Sequence, residues 1–322
     1  MENRKFVHSE KISKMAHDLF DNMDHVIKKP DYLYHYTSQS AIYDIVTNGE
    51  FWLSSVKALN DPLEIIFGLK TIRAILERSQ NRYSGEVNKI IDKYDTPVRD
   101  EYYLEYSNPT FLLSLTESED SLSQWINYGS QGNGIALKFI RKKLFDTINS
   151  HVASRVFSYI YPVCYFDQSF IGTHVRIDNF ESLVSKFITN LYSDCVLPDK
   201  DPVTEKLLYD YMFIIASLIK TDFHSSENEW RYFLVAPGPG DKNISVVKSG
   251  DNLKMVYKIK FSDDTSSDLP PQRALGVMIE SLVIGPKNSG NSSLKWALHQ
   301  LMYRNWAREG VIEFSQGRLR KG

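Results

Sequence analysis

Apolar positions recur at helical spacing in the first thirty residues. Ile12, Met15, Ala16, Leu19, Phe20, Met23, Val26 and Ile27 share one stripe, which predicts a packing helix capped by Ser9 and ended by Lys28, Lys29 and Pro30. The pattern then shortens. Residues 32–36 and 51–53 read as brief strands flanking a helix capped by Thr37 and Ser38 and closed by Asn48-Gly49. Asn60-Asp61-Pro62-Leu63-Glu64 starts another helix, reaching about Ser79: Asp61 caps, Pro62 fits the first turn and Glu64 sits three residues after the cap.

Residues 80–110 are polar and rich in turn formers, and further strands are predicted at 111–115, 135–139, 156–166 with a break at Pro162, 230–235, 254–261 and 279–284. A short helix at 119–128 leads into the Gly-rich turn 129–134, and two helices fall between about 177 and 220. A last helix, 293–308, points Leu294, Ala297, Leu298, Leu301 and Met302 inward, and 311–314 closes a sheet. Helices and strands mix without regular βαβ alternation, so the expected class is α+β. No low-complexity linker divides residues 1–322, which reads as one domain; residues 262–271 are the expected mobile loop.

Composition narrows the function. The chain has 322 residues, 38 Lys+Arg against 40 Asp+Glu, and a formal net charge of -2. This is an ordinary globular balance, not that of a disordered chain or a purely electrostatic nucleic-acid binder. Only Cys164 and Cys195 occur, so there is no disulfide framework or C-x-x-C metal pair. The start of the chain lacks an apolar signal region, and the longest apolar run, 212–219, is far short of the roughly 20 residues of a membrane span. A cytoplasmic protein with no membrane partner is expected. Oligomeric state is not set by these features. Aromatic residues are the unusual class, at 13% of the chain. Such rings build cores and also wall ligand pockets.

Neither a zinc signature nor a Gly-x-Ser-x-Gly elbow is present, and no metal is expected. Residues 285–292 resemble a phosphate loop, but Asn291 stands where the lysine belongs, which favours a structural turn. His35 sits at a strand end beside a helix cap, a common place for a site and also for a structural histidine. Trp125 and Tyr128 share a helical face, as core residues commonly do. Glu227-Asn228-Glu229-Trp230-Arg231 is the sharpest segment. In an extended chain both carboxylates face the same way, and held close they need a cation or a raised pKa; the alternative is a solvated strand edge.

These segments come in a recognisable order. Leu33-Tyr-His-Tyr-Thr-Ser38, Phe51-Trp-Leu-Ser-Ser55 and Leu59-Asn-Asp-Pro-Leu-Glu64 resemble the head of the bacterial family of unknown function numbered 2971. Trp125-x-x-Tyr128 followed by 132–139, Glu227-x-Glu229-Trp230-Arg231 and Leu282–Lys287 resemble its later motifs, so the likeness spans about residues 31–290. The helix at 1–30, the helical insert near 177–220 and the terminal helix and strand at 291–322 complete the domain. The family is distantly similar to the ADP-ribosyltransferase superfamily. That resemblance implies a split antiparallel sheet around an NAD cleft, with NAD as substrate. It implies that His35 holds a ribose of NAD and that Glu229, with Glu227, is the catalytic carboxylate. Tyr36, Thr37, Ser54, Trp125, Tyr128 and Arg231 complete the expected cofactor-binding set, with Trp52, Ser55 and Tyr43 as further candidates on the same segments.

Three functions follow as expectations. The first is transfer of ADP-ribose from NAD to a protein, nucleic-acid or small-molecule acceptor, or to water, in a bacterial toxin or defence setting. The second is a non-catalytic nucleotide-sensing or protein-interaction module on the same fold. The third is a metal-dependent nuclease collecting Asp61, Glu64, Glu227 and Glu229.

Overall fold

A computed structural model describes residues 2–56, 63–85, 88–89, 92, 109–152, 157–194, 211–249, 252–261, 273–306 and 311–317. The expected cap at Asp61-Pro62, Cys195 and the loop 262–271 lie outside them.

The first helix, α1, runs Glu2–Val26, so Ser9 lies inside it and does not cap it. Its stripe is buried at Ala16, Leu19, Phe20 and Met23, and Phe20 stacks on Tyr159 with centroids 4.8 Å apart. β1 (Tyr32–Thr37), α2 (Gln39–Asn48) and β2 (Glu50–Ser55) follow. The Ser38 hydroxyl accepts the Ala41 N–H at 3.1 Å, and Gly49 closes α2 at φ 62°, a left-handed conformation that suits glycine. Next come α3 (Glu64–Arg78), β3 (Thr110–Thr116), α4 (Leu122–Asn127), β4 (Ile135–Ile140) and α5 (Arg141–His151). β5 (Phe157–Pro162) ends at the predicted break, before β6 (Cys164–Phe166), β7 (Gly172–His174) and α6 (Phe180–Asp194). The remainder is β8 (Ile219–Thr221), β9 (Glu229–Val235), β10 (Ile244–Ser249), β11 (Asn252–Lys260), α7 (Arg273–Met278), β12 (Ile279–Ile284), α8 (Ser292–Trp306) and β13 (Val311–Phe314).

The class is α+β, built on a ten-stranded mixed sheet. β9 pairs along β3 from Thr110↔Val235 to Thr116↔Glu229, and β5 flanks β9 on its other side. The free edge of β3 is shared. β2 takes its start, with Ser55↔Phe111 and Ser54↔Leu112, and β1 takes its end, with Tyr34↔Thr116. Between Leu112 and Thr116 those two strands part and the sheet splits. β1 continues through β4 and β12 to β13, while β2 continues through β11 to β10. Among the described residues, only β12 and β13 run parallel within this sheet. β7, β6 and β8 form a separate small sheet.

Register sorts the side chains by face. Ser54, Leu112, Ser114, Thr116, Glu229 and Arg231 share one face; Leu53, Phe111, Leu113, Trp230 and Tyr232 take the other. The latter five are all buried. Two corrections concern local pattern. Residues 219–221 form a strand where a helix was predicted, because they pair with β6. In α8, Trp306 is buried with Leu298 and Met302, while Ala297 faces solvent.

Candidate functional site

The split in the sheet positions the site. Beyond Tyr34 the pairing of β1 with β3 stops, and the His35 ring takes over: its Nδ1–H donates to the Ser114 carbonyl at 3.0 Å. A carbonyl only accepts, so this bond fixes the proton on Nδ1 and leaves Nε2 as an acceptor. Burial lowers the His35 pKa below its ordinary value, partly offset by the bond to Ser114. The neutral ring is therefore the favoured form.

Two cavities meet at this ring. One, of about 150 Å³, is bounded by His35, Ser114 and Tyr128 together with Glu227, Glu229 and Lys220. The other, of about 400 Å³, shares His35, Ser114 and Tyr128 and extends toward Thr37, Trp52, Ser54 and Lys254.

The floor of the smaller cavity is a buried ion cluster. Lys220 Nζ donates to Glu227 Oε2 at 2.8 Å and to Glu229 Oε2 at 3.0 Å, with Glu64 Oε2 at 3.7 Å. Arg231 donates from Nε to Glu229 Oε1 at 2.7 Å and from Nη2 to Oε2 at 3.0 Å, a bidentate grip. Its Nη1 reaches Glu64 Oε1 and the Ser217 carbonyl, each at 2.5 Å. Three carboxylates thus face two cations, all five side chains being buried. Burial alone would raise the Glu229 pKa, but Arg231 and Lys220 outweigh it and hold the carboxyl down at about 2. Burial would lower the Lys220 pKa, yet Glu229, Glu64 and Glu227 hold it above its ordinary range.

The local chain explains the convergence. Residues 222–227 form a 3-10 turn ended by Asn228 at φ 43°. The segment is therefore not extended through Asn228, and the two carboxylates meet through this bend and the shared ammonium. The Thr116 hydroxyl holds the Glu227 carbonyl at 2.6 Å, and the Glu229 N–H donates to Tyr165 Oη at 2.9 Å. Gly68 lets α3 approach residue 216: a Cβ there would collide with the Ala216 backbone. Glu64 then reaches Arg231 from the first turn of α3. Glu64, expected as part of the helix start at Asp61, is tied to Arg231 by this ion pair, and its expected partner Asp61 lies outside the described residues.

The two glutamates are not equivalent. Both Glu229 oxygens are occupied by guanidinium and ammonium donors. Glu227 Oε1 instead accepts from the Tyr128 hydroxyl at 3.1 Å and lies 3.4 Å from His224 Nδ1. Burial, then the Glu227 charge, pushes the Tyr128 phenol up to about 12, so it remains a donor. The solvated-edge alternative for residues 227–231 fails, because β9 lies between β3 and β5 and both carboxylates are buried.

The structure brings His35, Tyr36, Tyr128, Glu227, Glu229 and Arg231 to the smaller cavity, and Thr37 and Ser54 to the larger. Tyr36 presents a committed hydroxyl, which donates toward the Ser118 and Glu119 carbonyls at 2.8 and 2.7 Å. Trp125 borders neither cavity. Its ring packs edge-on against Tyr36, and its Nε1–H donates to Asp120 Oδ1 at 2.7 Å. Its position is that of a core residue holding the cavity wall, not of a ring open to ligand. Lys220 was missed. It closes the apolar run at 212–219, a weak cue, and its partners lie in the next segment and on α3. Among the described residues, no cluster of His, Cys, Asp or Glu is arranged to hold a metal. No helix among them is long and apolar enough to cross a membrane.

Residues 124–232 match the model of a family described as a protein of unknown function (DUF2971). The match supports the family likeness carried by the motifs. It spans Tyr128, Lys220, His224, Glu227, Glu229 and Arg231, while His35 and Glu64 lie before it. No curated protein and no solved structure matches the chain.

Proposed function

We propose that the protein is an NAD-dependent ADP-ribosyltransferase-like enzyme acting at the split in the sheet. The observation that carries the reading is that His35, Glu227 and Glu229 border one cavity. Opposite faces for His35 and Glu229 would have removed it.

The chemistry suits the charges. As the bond between nicotinamide and ribose C1 breaks, its electron pair leaves with nicotinamide and the ribose becomes oxocarbenium-like. A cluster of three carboxylates and two cations attracts that developing charge, and the attraction grows toward the transition state. We assign the substrate-facing role to Glu227, whose Oε1 meets, among the described residues, only the Tyr128 hydroxyl and His224. Glu229, gripped by Arg231, positions Lys220 and through it Glu227. The acceptor forms a bond to C1 with its own electron pair and passes its proton to Glu227 or His224. Among the described residues only Nδ1 of His35 is engaged in a hydrogen bond, so Nε2 can accept one from a ribose hydroxyl.

The saturation of Glu229 favours a second reading, a nucleotide-binding module without turnover. The nuclease reading is weakened by the Lys220 ammonium, which already stands among the three carboxylates. Incubation with NAD separates the first two: the transferase releases nicotinamide, and E227Q and E229Q lose that release while staying folded. A binding module is stabilised by NAD with no nicotinamide formed.

A further inference from the structure

The face of the sheet that carries Glu229 continues past the cleft. Ser114 lies opposite Arg231, Ser54 opposite Leu112, and Lys258 opposite Trp52. Alternation along β2 and β11 therefore puts Trp52, Lys254, Lys258 and Lys260 on that same face. Trp52 is 42% exposed, unusual for a tryptophan on a sheet. Lys258 Nζ stands 4.9 Å from its ring centroid, and Glu50 accepts its indole N–H at 3.1 Å, fixing the ring. Glu50 also lies 3.5 Å from Lys260 and 4.0 Å from Lys258. Lys254 borders the larger cavity and has no ion-pair partner among the described residues. A chain of net charge -2 thus gathers Lys254, Lys258 and Lys260 with Glu50 on the face of the exposed ring, and Lys248 and Asp44 also border the larger cavity.

We propose that this open face of β2 and β11 is a docking track for single-stranded nucleic acid, which delivers its nucleotide to the cleft as the ADP-ribose acceptor. The docking half rests on the surface alone; the acceptor half rests on the transferase reading above. An exposed indole stacks on an unpaired base, and lysines beside it neutralise successive phosphates. A duplex offers no free base face, and a polyanionic peptide makes no use of the ring. The track runs without interruption from Trp52 across Ser54 to Ser114 and the two cavities.

The test is fluorescence anisotropy with labelled oligo-dT and oligo-U of about 12 nucleotides. A duplex of equal length and polyglutamate serve as competitors, and NAD is absent. Single strands should bind, weakening as salt rises, with duplex and polyglutamate competing poorly. W52A should lower affinity roughly 5- to 150-fold, the effect of losing one stacked base. K258E/K260E, whose residues border neither cavity, should reduce the salt slope by about 1.4, the effect of two lost phosphate contacts. The same double variant should release nicotinamide to water as the native protein does. Absence of binding at about 50 mM salt overturns the proposal. So does equal competition by polyglutamate, or native-like binding by both variants. Binding that is intact in a protein with no turnover of NAD supports the track and removes the acceptor role together with the transferase reading.

Discussion

His35 donates from Nδ1 to the carbonyl of Ser114 at 3.0 Å, at the point where β1 and β2 leave the shared edge of β3. The bond replaces a ladder hydrogen bond lost to the split and sets the tautomer of the ring that borders both cavities.

The first prediction concerns that ring. Burial holds the His35 pKa below its ordinary 6.5, so the unfolded chain takes up this proton more readily than the folded one. The contribution is fully present above pH 6.5 and is lost as pH falls through the folded pKa. Urea unfolding of native protein and H35Q below pH 6.5 should show a smaller acid loss in the variant. Parallel losses would show that His35 is not the group responsible.

Arg231 bridges Glu229 and Glu64, and its removal leaves buried carboxylates short of a cation. R231M should destabilise the protein by about 3–5 kcal/mol, and adding E229Q should recover part of that loss. Glu229 adds an acid limit. Its carboxyl is held down at about 2 from an ordinary 4.5, so its stabilisation is present above pH 4.5 and is lost as pH falls toward 2. Denaturation curves for native, R231M and the double variant test the cluster. Equal stability of R231M and native protein would contradict it.

Much of the frame was legible from local pattern. Ser38 and Gly49 cap α2 as read, Pro162 ends β5, and residues 279–284 form β12. In each case the deciding physics lies within a few residues. The acidic pair was legible as chemistry but not as geometry. Its convergence depends on the left-handed Asn228 and on Lys220, whose strand exists only because it pairs with β6. Glu64 has an adequate local explanation as a capping residue, and only the close approach of α3 at Gly68 shows its tie to Arg231. Trp125 satisfied the helical pattern of either core or pocket, and its bond to Asp120 decided between them.

That aspartate gives a third prediction. Asp120 accepts from Trp125 Nε1 at 2.7 Å, Ser315 Oγ at 2.6 Å, Gln316 N at 2.7 Å and Gly317 N at 2.9 Å. It thereby ties the segment after β13 to α4, which leads directly to Tyr128. D120A should cost roughly 1–3 kcal/mol and speed hydrogen exchange at Gln316 and Gly317. Unchanged exchange at those two amides would contradict the clamp.

The most direct test of the central claim is kcat/KM for nicotinamide release from NAD by native protein, H35A, E227Q and the double variant. E227Q leaves two carboxylates for two cations, so folding is expected to survive, as circular dichroism can verify. If His35 and Glu227 act on one substrate in one cavity, each single variant should lose about 100-fold or more. The double variant should then be little worse than the poorer single, since groups acting as a unit are not additive. Native-like turnover in E227Q, or no nicotinamide release by the native protein, would contradict the account.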